Sequence, residues 1–197
     1  MTEELSELEQ EQYDHLLPIA RHELGHYVLA RHVEFRTYGV IITAKTPLMS
    51  AGGQAEIGLI RPIRTLADVR AYCEDRIRVL SAGGLAEAME AGVINHEAAV
   101  RSAKATGDND FTKVREHLRL LHNLEHPDLI DENQVNRELN DSYSRLWNDA
   151  SQLVVRFSEL IEQLADELTR KYAVEFQVPE FSENELSKHP LVLKYFR

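Results

Sequence analysis

His22, Glu23 and His26 form an H-E-x-x-H pattern inside the stretch Ile19 to Val33, IARHELGHYVLARHV. Residues four apart share one face of an α-helix. Two imidazoles so placed project to the same side, where each can give a nitrogen to one zinc ion. Glu23 follows the first of them. In zinc peptidases a carboxylate at that position sits beside the metal's water and takes its proton. The plainer reading is a satisfied polar spot in a core. Embedding among apolar residues favours metal binding. Gly25 points the same way: glycine inside a helix costs roughly 1 kcal/mol relative to alanine, and it usually marks close approach of another backbone.

A catalytic zinc site needs three protein ligands and one open position. The helix supplies two. The residues just after Glu34 offer no third histidine, and His32 falls on the wrong face for the same ion. The downstream candidates are Asp110, His96, and the group His117, His122 and His126. Periodicity does not choose among them. Thr106-Gly107-Asp108-Asn109-Asp110 is a dense turn and capping signal, and Phe111, Val114, Leu118 and Leu121 follow at helical spacing. Asp110 therefore belongs in or near a first helical turn, where the helix dipole favours a carboxylate. Capping explains Asp108 and Asp110 more cheaply than ligation does. The three histidines read as scattered surface residues around an exposed linker, residues 122–136, in preference to ligands of a second metal. His126-Pro127 favours extended backbone there.

These residues need elements to hold them. An acidic lead-in helix covers residues 2–17, and the motif helix spans roughly 18–34 with Pro18 at a first helical position. Thr37 to Ala44 reads as a strand. Pro47, Ser50, Gly52 and Gly53 break the chain, and Gln54 to Ile60 forms a second strand ended by Pro62. A free strand edge beside a metal can hold an extended peptide by strand addition; a sheet that merely covers the helix is the better expectation. Thr65 to Leu80 is an amphipathic helix with Cys73 on its apolar side as a core residue. Ser81-Ala82-Gly83-Gly84 predicts a bend or a close helix contact. Leu85 to Ala91 resumes helical character until Gly92, and Asn95 to Lys104 is a further short helix. A long helical pattern from Tyr143 to Tyr172 has a wide apolar face. It is expected to pack on the helix of residues 110–121, with homo-oligomerisation as the minor alternative. The tail, with Phe176, Val178, Phe181 and Leu186, predicts an irregular segment plus a short helix. The expected class is mainly α with a small β-sheet or hairpin (α+β). Residues 1–122 form the core, and residues 123–197 form a helical C-terminal region packed on it.

Composition sets the outer bounds. A chain of 197 residues with 43% hydrophobic and 28% charged residues is an ordinary globular protein. Its formal charge of −11 repels phosphate backbones, so nucleic acid is not an expected partner. Cys73 is the only cysteine. An intrachain disulfide and a cysteine-based zinc site are thereby excluded. A reducing compartment, the cytoplasm, is expected. No signal peptide is visible, and no apolar run approaches the ~20 residues that span a bilayer.

Three motifs occur in order: Arg21-His22-Glu23-Leu24-Gly25-His26, Leu80-Ser81-Ala82-Gly83-Gly84-Leu85-Ala86, and Thr106-Gly107-Asp108-Asn109-Asp110-Phe111. Together they resemble the peptidase domain of the FtsH family, the membrane-linked ATP-dependent zinc proteases. That family has H-E-A-G-H on its zinc helix, with glycine at the Gly25 position. It has a glycine pair opening an Ala- and Glu-rich segment, then a Thr-Gly segment running into Asn-Asp. The resemblance spans roughly residues 18–122. It implies a zincin-like helical metallopeptidase domain with His22, His26 and Asp110 as zinc ligands and Glu23 as general base. It likens Val40 to Thr43 to the family's edge strand.

The departures are specific. No G-x-x-x-x-G-K-[ST] phosphate loop occurs, so this sequence carries no ATPase module, and the family's transmembrane anchor is missing. The acids after Gly84 do not align with the family's paired glutamates, so the resemblance assigns Glu87 no role. The expected function is a Zn²⁺ metallopeptidase acting on unfolded or extended polypeptides, ATP-independent by itself, with a separate ATPase as a conceivable partner. The alternative is a catalytically silent zinc-containing domain that acts as a binding or regulatory module.

Overall fold

The computed structural model describes residues 6–43, 51–105, 108–173 and 178–196. Helix α1 (Glu7–His32) carries the HELGH motif in its second half. Ser6 and Glu9 cap its start reciprocally, each side chain accepting from the other's backbone N–H. The lead-in segment and the motif helix are thus one helix, and Pro18 lies inside it rather than opening it. A proline there removes one helical hydrogen bond. Tertiary anchoring outweighs the loss: Leu16 and Ala20 are fully buried, and the Tyr13 hydroxyl donates to Asp166 at 2.5 Å. From Leu24 to Ala30 every residue is buried. This stretch of α1 therefore has no solvent face; α2, α6 and the sheet surround it.

Helix α2 (Leu66–Glu87) starts at a second capping box, Thr65 with Asp68, and runs without interruption through Ser81-Ala82-Gly83-Gly84. The expected bend is absent and the close contact is present. A Cβ added at Gly25 would lie 2.6 Å from the Ala82 carbonyl oxygen and 2.7 Å from the Ala86 Cβ. Glycine is what lets the two backbones approach. The helical reading of Leu85 to Ala91 holds only to Glu87. Met89–Glu90 (β3) and Val93–Ile94 (β4) then form a two-stranded hairpin. Ala91 (φ 48°) and Gly92 (φ 74°) both take left-handed conformations, as a two-residue turn of this kind requires.

Helices α3 (His96–Ala105), α4 (Asp108–Glu125), α5 (Glu132–Arg156) and α6 (Ser158–Ala173) follow. The long helix expected from Tyr143 to Tyr172 is two helices parted at Phe157, whose buried ring packs on Tyr195 and Phe196. Helix α6 lies on α1, and α5 lies chiefly on α2 and less on α4. The stretch read as an exposed linker is shorter than expected, because α4 continues to Glu125 and buries His122.

Strands β1 (Arg36–Thr43), β2 (Gly52–Gly58) and β5 (Glu180–Ser182) make an antiparallel sheet in the order β2-β1-β5. Gly52 and Gly53 open β2 instead of breaking the chain. The strand likened to an edge strand, Val40 to Thr43, lies in the middle. Residues Gly39 to Ile41 pair with β5, and the Ile42 N–H donates to the Pro179 carbonyl at 2.8 Å. The tail, read as an irregular segment plus a short helix, supplies that third strand and then two short helices, α7 (Glu183–Leu186) and α8 (Pro190–Tyr195). Glu183 ties the tail down, accepting from Arg31 at 2.7 Å and from the Thr37 hydroxyl at 3.0 Å. The breaks expected at Pro47 and Ser50, the Thr106-Gly107 turn and Phe176 lie outside the described residues. The fold is mainly α with a small antiparallel sheet. Among the described residues no helix is long and apolar enough to cross a membrane.

Candidate metal centre

Three elements converge on one point. Helix α1 brings His22 and His26, one turn apart, their rings edge to face with centroids 4.7 Å apart. The first turn of α4 brings Asp110. Its Oδ2 lies 3.0 Å from His26 Nε2 and 3.7 Å from His22 Nε2. One donor atom from each of the three side chains lies within 4.8 Å of the others. Among the described residues this is the only such group. The other sequence candidates fall elsewhere. His96 is exposed at the start of α3. His117 Nδ1 is 2.8 Å from its own helix's Lys113 carbonyl, and His126 is 3.7 Å from Glu138. His122, expected on the surface, is 7% exposed.

The outer nitrogens of both imidazoles are engaged. His26 Nδ1 lies 2.8 Å from the Val79 carbonyl oxygen. A carbonyl only accepts, so Nδ1 carries the proton, and in the neutral ring Nε2 offers its lone pair. His22 Nδ1 lies 2.9 Å from Glu87 Oε2, which also accepts from the Ser102 hydroxyl at 2.6 Å. Such carboxylate and carbonyl partners fix the tautomer and ring orientation of metal-ligating histidines. Glu87, which the resemblance left without a role, thus orients His22.

Space for an ion comes from α2. A Cβ built on Gly83 would lie 2.5 Å from His26 Nε2 and 2.6 Å from His22 Nε2. Any other residue at Gly83 would fill the room in front of both donor nitrogens. The donor set of two imidazoles and one carboxylate matches a zinc site with an open fourth position, so the residues present fit the ion.

Burial and neighbouring charge pull against each other at the centre. Burial alone would raise the Asp110 pKa, but hydrogen bonds and charge from His22 and His26 outweigh it and hold the carboxyl far below its usual range. Burial alone would lower the His22 pKa; hydrogen bonds to Asp110 and Glu87 and the nearby Glu23 charge push it up to about 9.

Glu23 stands on the other side of the motif. Its Oε2 accepts from the Ala55 N–H at 2.7 Å. A Cβ at Gly53 would lie 2.5 Å from Glu23 Cγ, so β2 presses directly on this side chain. The strand beside the site is therefore β2, and it stands at the edge of the described sheet. A cleft of about 520 Å³ opens over the centre, with β2 on one wall and α2 and α4 on the other. Cys73 takes no part. It is 1% exposed, packed with Ile77, Val114 and Leu118, and burial pushes its thiol pKa up.

Sequence reasoning missed the Val79 carbonyl, the Ala55 N–H and Ser102. Backbone groups leave no residue-type signal, and a lone serine leaves none either. Gly83 and Glu87 were detectable in principle: four apart on α2, they share the face that meets His22. No protein-family model matches the chain, and no curated protein matches it.

Proposed function

We propose that this chain is a zinc metallopeptidase of the FtsH type that hydrolyses peptide bonds of extended polypeptides. His22, His26 and Asp110 would hold the ion, and Glu23 would act as general base. The observation that carries this reading is the convergence of three donor side chains from α1 and α4 around a space that Gly83 keeps open.

Zinc, when bound, supplies Lewis acidity that polarises a carbonyl oxygen and acidifies water. The chain's own residues do the rest. The Ala55 N–H holds one Glu23 oxygen, leaving Oε1 to take a proton from the attacking water. Glu23 then delivers that proton to the leaving amine. The edge of β2 along Gly53 to Ile57 lines the cleft. Its outward backbone groups suit strand addition by an extended substrate, which favours unfolded polypeptides over folded ones. These 197 residues contain no phosphate loop, and an ATPase that unfolds substrates is a proposed partner. A cytoplasmic setting suits the single, buried, unpaired cysteine.

The test is hydrolysis of an unstructured polypeptide by the zinc-loaded chain, with and without a chelator, alongside Glu23→Gln. The variant should retain one zinc per chain and lose roughly 10²–10⁴ in turnover. Full hydrolysis by Glu23→Gln would remove Glu23 from the mechanism. A zinc-loaded wild type with no hydrolysis would leave a binding module in place of an enzyme.

A further inference from the structure

The wall of the cleft opposite β2 carries two cations, Arg76 of α2 and Lys113 of α4. This is unexpected in a chain of net charge −11. Helix α2 has three arginines, and the other two are paired: Arg70 with Glu125 at 2.9 Å, and Arg78 with Glu74, Asp75 and Asp149 at 3.0–3.3 Å. Arg76 is partly buried, yet it forms no ion pair among the described residues. Of the cleft's own acids only Asp110 acts on Arg76, through its charge and not through an ion pair. Asp110 is held by the imidazoles, with Lys113 3.7 Å from its other oxygen. Glu23 is held by the Ala55 N–H, and Glu56 is exposed on the opposite strand.

A partly desolvated guanidinium without a carboxylate presents a planar fork of donors that matches a carboxylate in two parallel hydrogen bonds. We infer that Arg76, supported by Lys113, is a specificity residue that binds a carboxylate of the polypeptide lying in the cleft. That carboxylate is either an acidic side chain near the scissile bond or the substrate's free C-terminus. The inference rests on the peptidase reading for the placement of substrate, but its readout is binding.

The probes are four unstructured peptides of otherwise identical sequence. They carry Glu or Gln beside the central bond, each with a free or an amidated C-terminus. Equilibrium binding is measured by fluorescence anisotropy on the full zinc-loaded Glu23→Gln chain, with and without Arg76→Met. The carboxylate-bearing peptide should bind roughly tenfold or more tightly than its neutral partner. Arg76→Met should cut that ratio to below about twofold, and Arg76→Lys should leave it between the two. The Glu/Gln pair and the acid/amide pair separate the two carboxylate sources. Zinc content and thermal melting of each variant show that it is folded, and Arg76→Lys carries the test if Arg76→Met is not. No preference in the Arg76-containing chain, or a preference that survives both substitutions, overturns the inference. Hydrolysis of the neutral peptides by the wild type is read separately. Cleavage without preference sinks the subsite alone. An Arg76-dependent preference without cleavage supports the subsite and sinks the peptidase reading. Binding of none of the four sinks both.

Discussion

Gly83 faces His26 so closely that a single added methyl carbon would stand 2.5 Å from the imidazole Nε2. The same carbon would stand 2.6 Å from His22 Nε2. The obstructing atoms are imidazole ends, and the rings can give way only by loosening their bonds to the Val79 carbonyl and Glu87. That costs about 1–3 kcal/mol, against roughly 1 kcal/mol that alanine returns in helix propensity. Gly83→Ala should therefore lower the stability of the metal-free protein by about 2 kcal/mol or less and abolish stoichiometric zinc binding. Thermal melts with and without zinc check both halves. A variant that still gains stability on adding zinc would show that the ion sits elsewhere.

Glu87 acts one step further out. It accepts from His22 Nδ1 and from Ser102, and its charge favours the Nδ1–H form of the ring. Glutamine keeps the shape and loses the charge. Glu87→Gln should weaken zinc binding by roughly 10–100-fold, the usual cost of disturbing such a partner. Competition against a chromophoric chelator measures it, and an unchanged affinity would reduce Glu87 to a surface acid.

Gly25 differs from Gly83 in what stands against it. The nearest atom is the Ala82 carbonyl oxygen, which belongs to a helix backbone and cannot swing away. Gly25→Ala must push α1 and α2 apart in the most buried part of the protein. Overpacking of this kind costs about 1–3 kcal/mol, more than the gain in helix propensity. Urea unfolding of the metal-free variant should show a lowered midpoint with an unchanged slope.

The class of the fold and the grouping of the histidines were more legible than the packing that assembles them. H-E-x-x-H fixes two donors on one helical face, and the capping signal before Phe111 places Asp110 in a first turn, but only the family resemblance singles Asp110 out from His96, His117, His122 and His126 as the third donor. What joins these positions is not legible. Pro18 marks a helix start by local preference, yet packing of Leu16 and Tyr13 carries the helix through it. The break at Phe157 is invisible because threes and fours of apolar spacing continue across it while the ring docks on the C-terminal tail. The central position of β1 depends on a strand more than a hundred residues away, a pairing that no local pattern encodes. The edge strand was accordingly assigned to β1 when it is β2.

Tyr13 gives a test of how the first half of α1 is held. Burial, reinforced by donation to Asp166, pushes its pKa up to about 12. Burial does the same for Tyr143, and for Tyr27 together with the charge of Glu183. A phenol in the unfolded chain titrates near 10. The fold thus favours the neutral, proton-bearing form, so this contribution is complete below pH 10 and is lost as pH rises from 10 towards 12. Tyr13→Phe removes the hydroxyl and should destabilise the protein by about 1 kcal/mol at neutral pH. Because the variant has no phenol to ionise at that position, the gap between it and the wild type should narrow steadily above pH 10. Urea midpoints of the two proteins across that range, read alongside phenolate absorbance, measure the gap. A gap that stays constant would mean that the Tyr13–Asp166 bond does not couple α1 to α6.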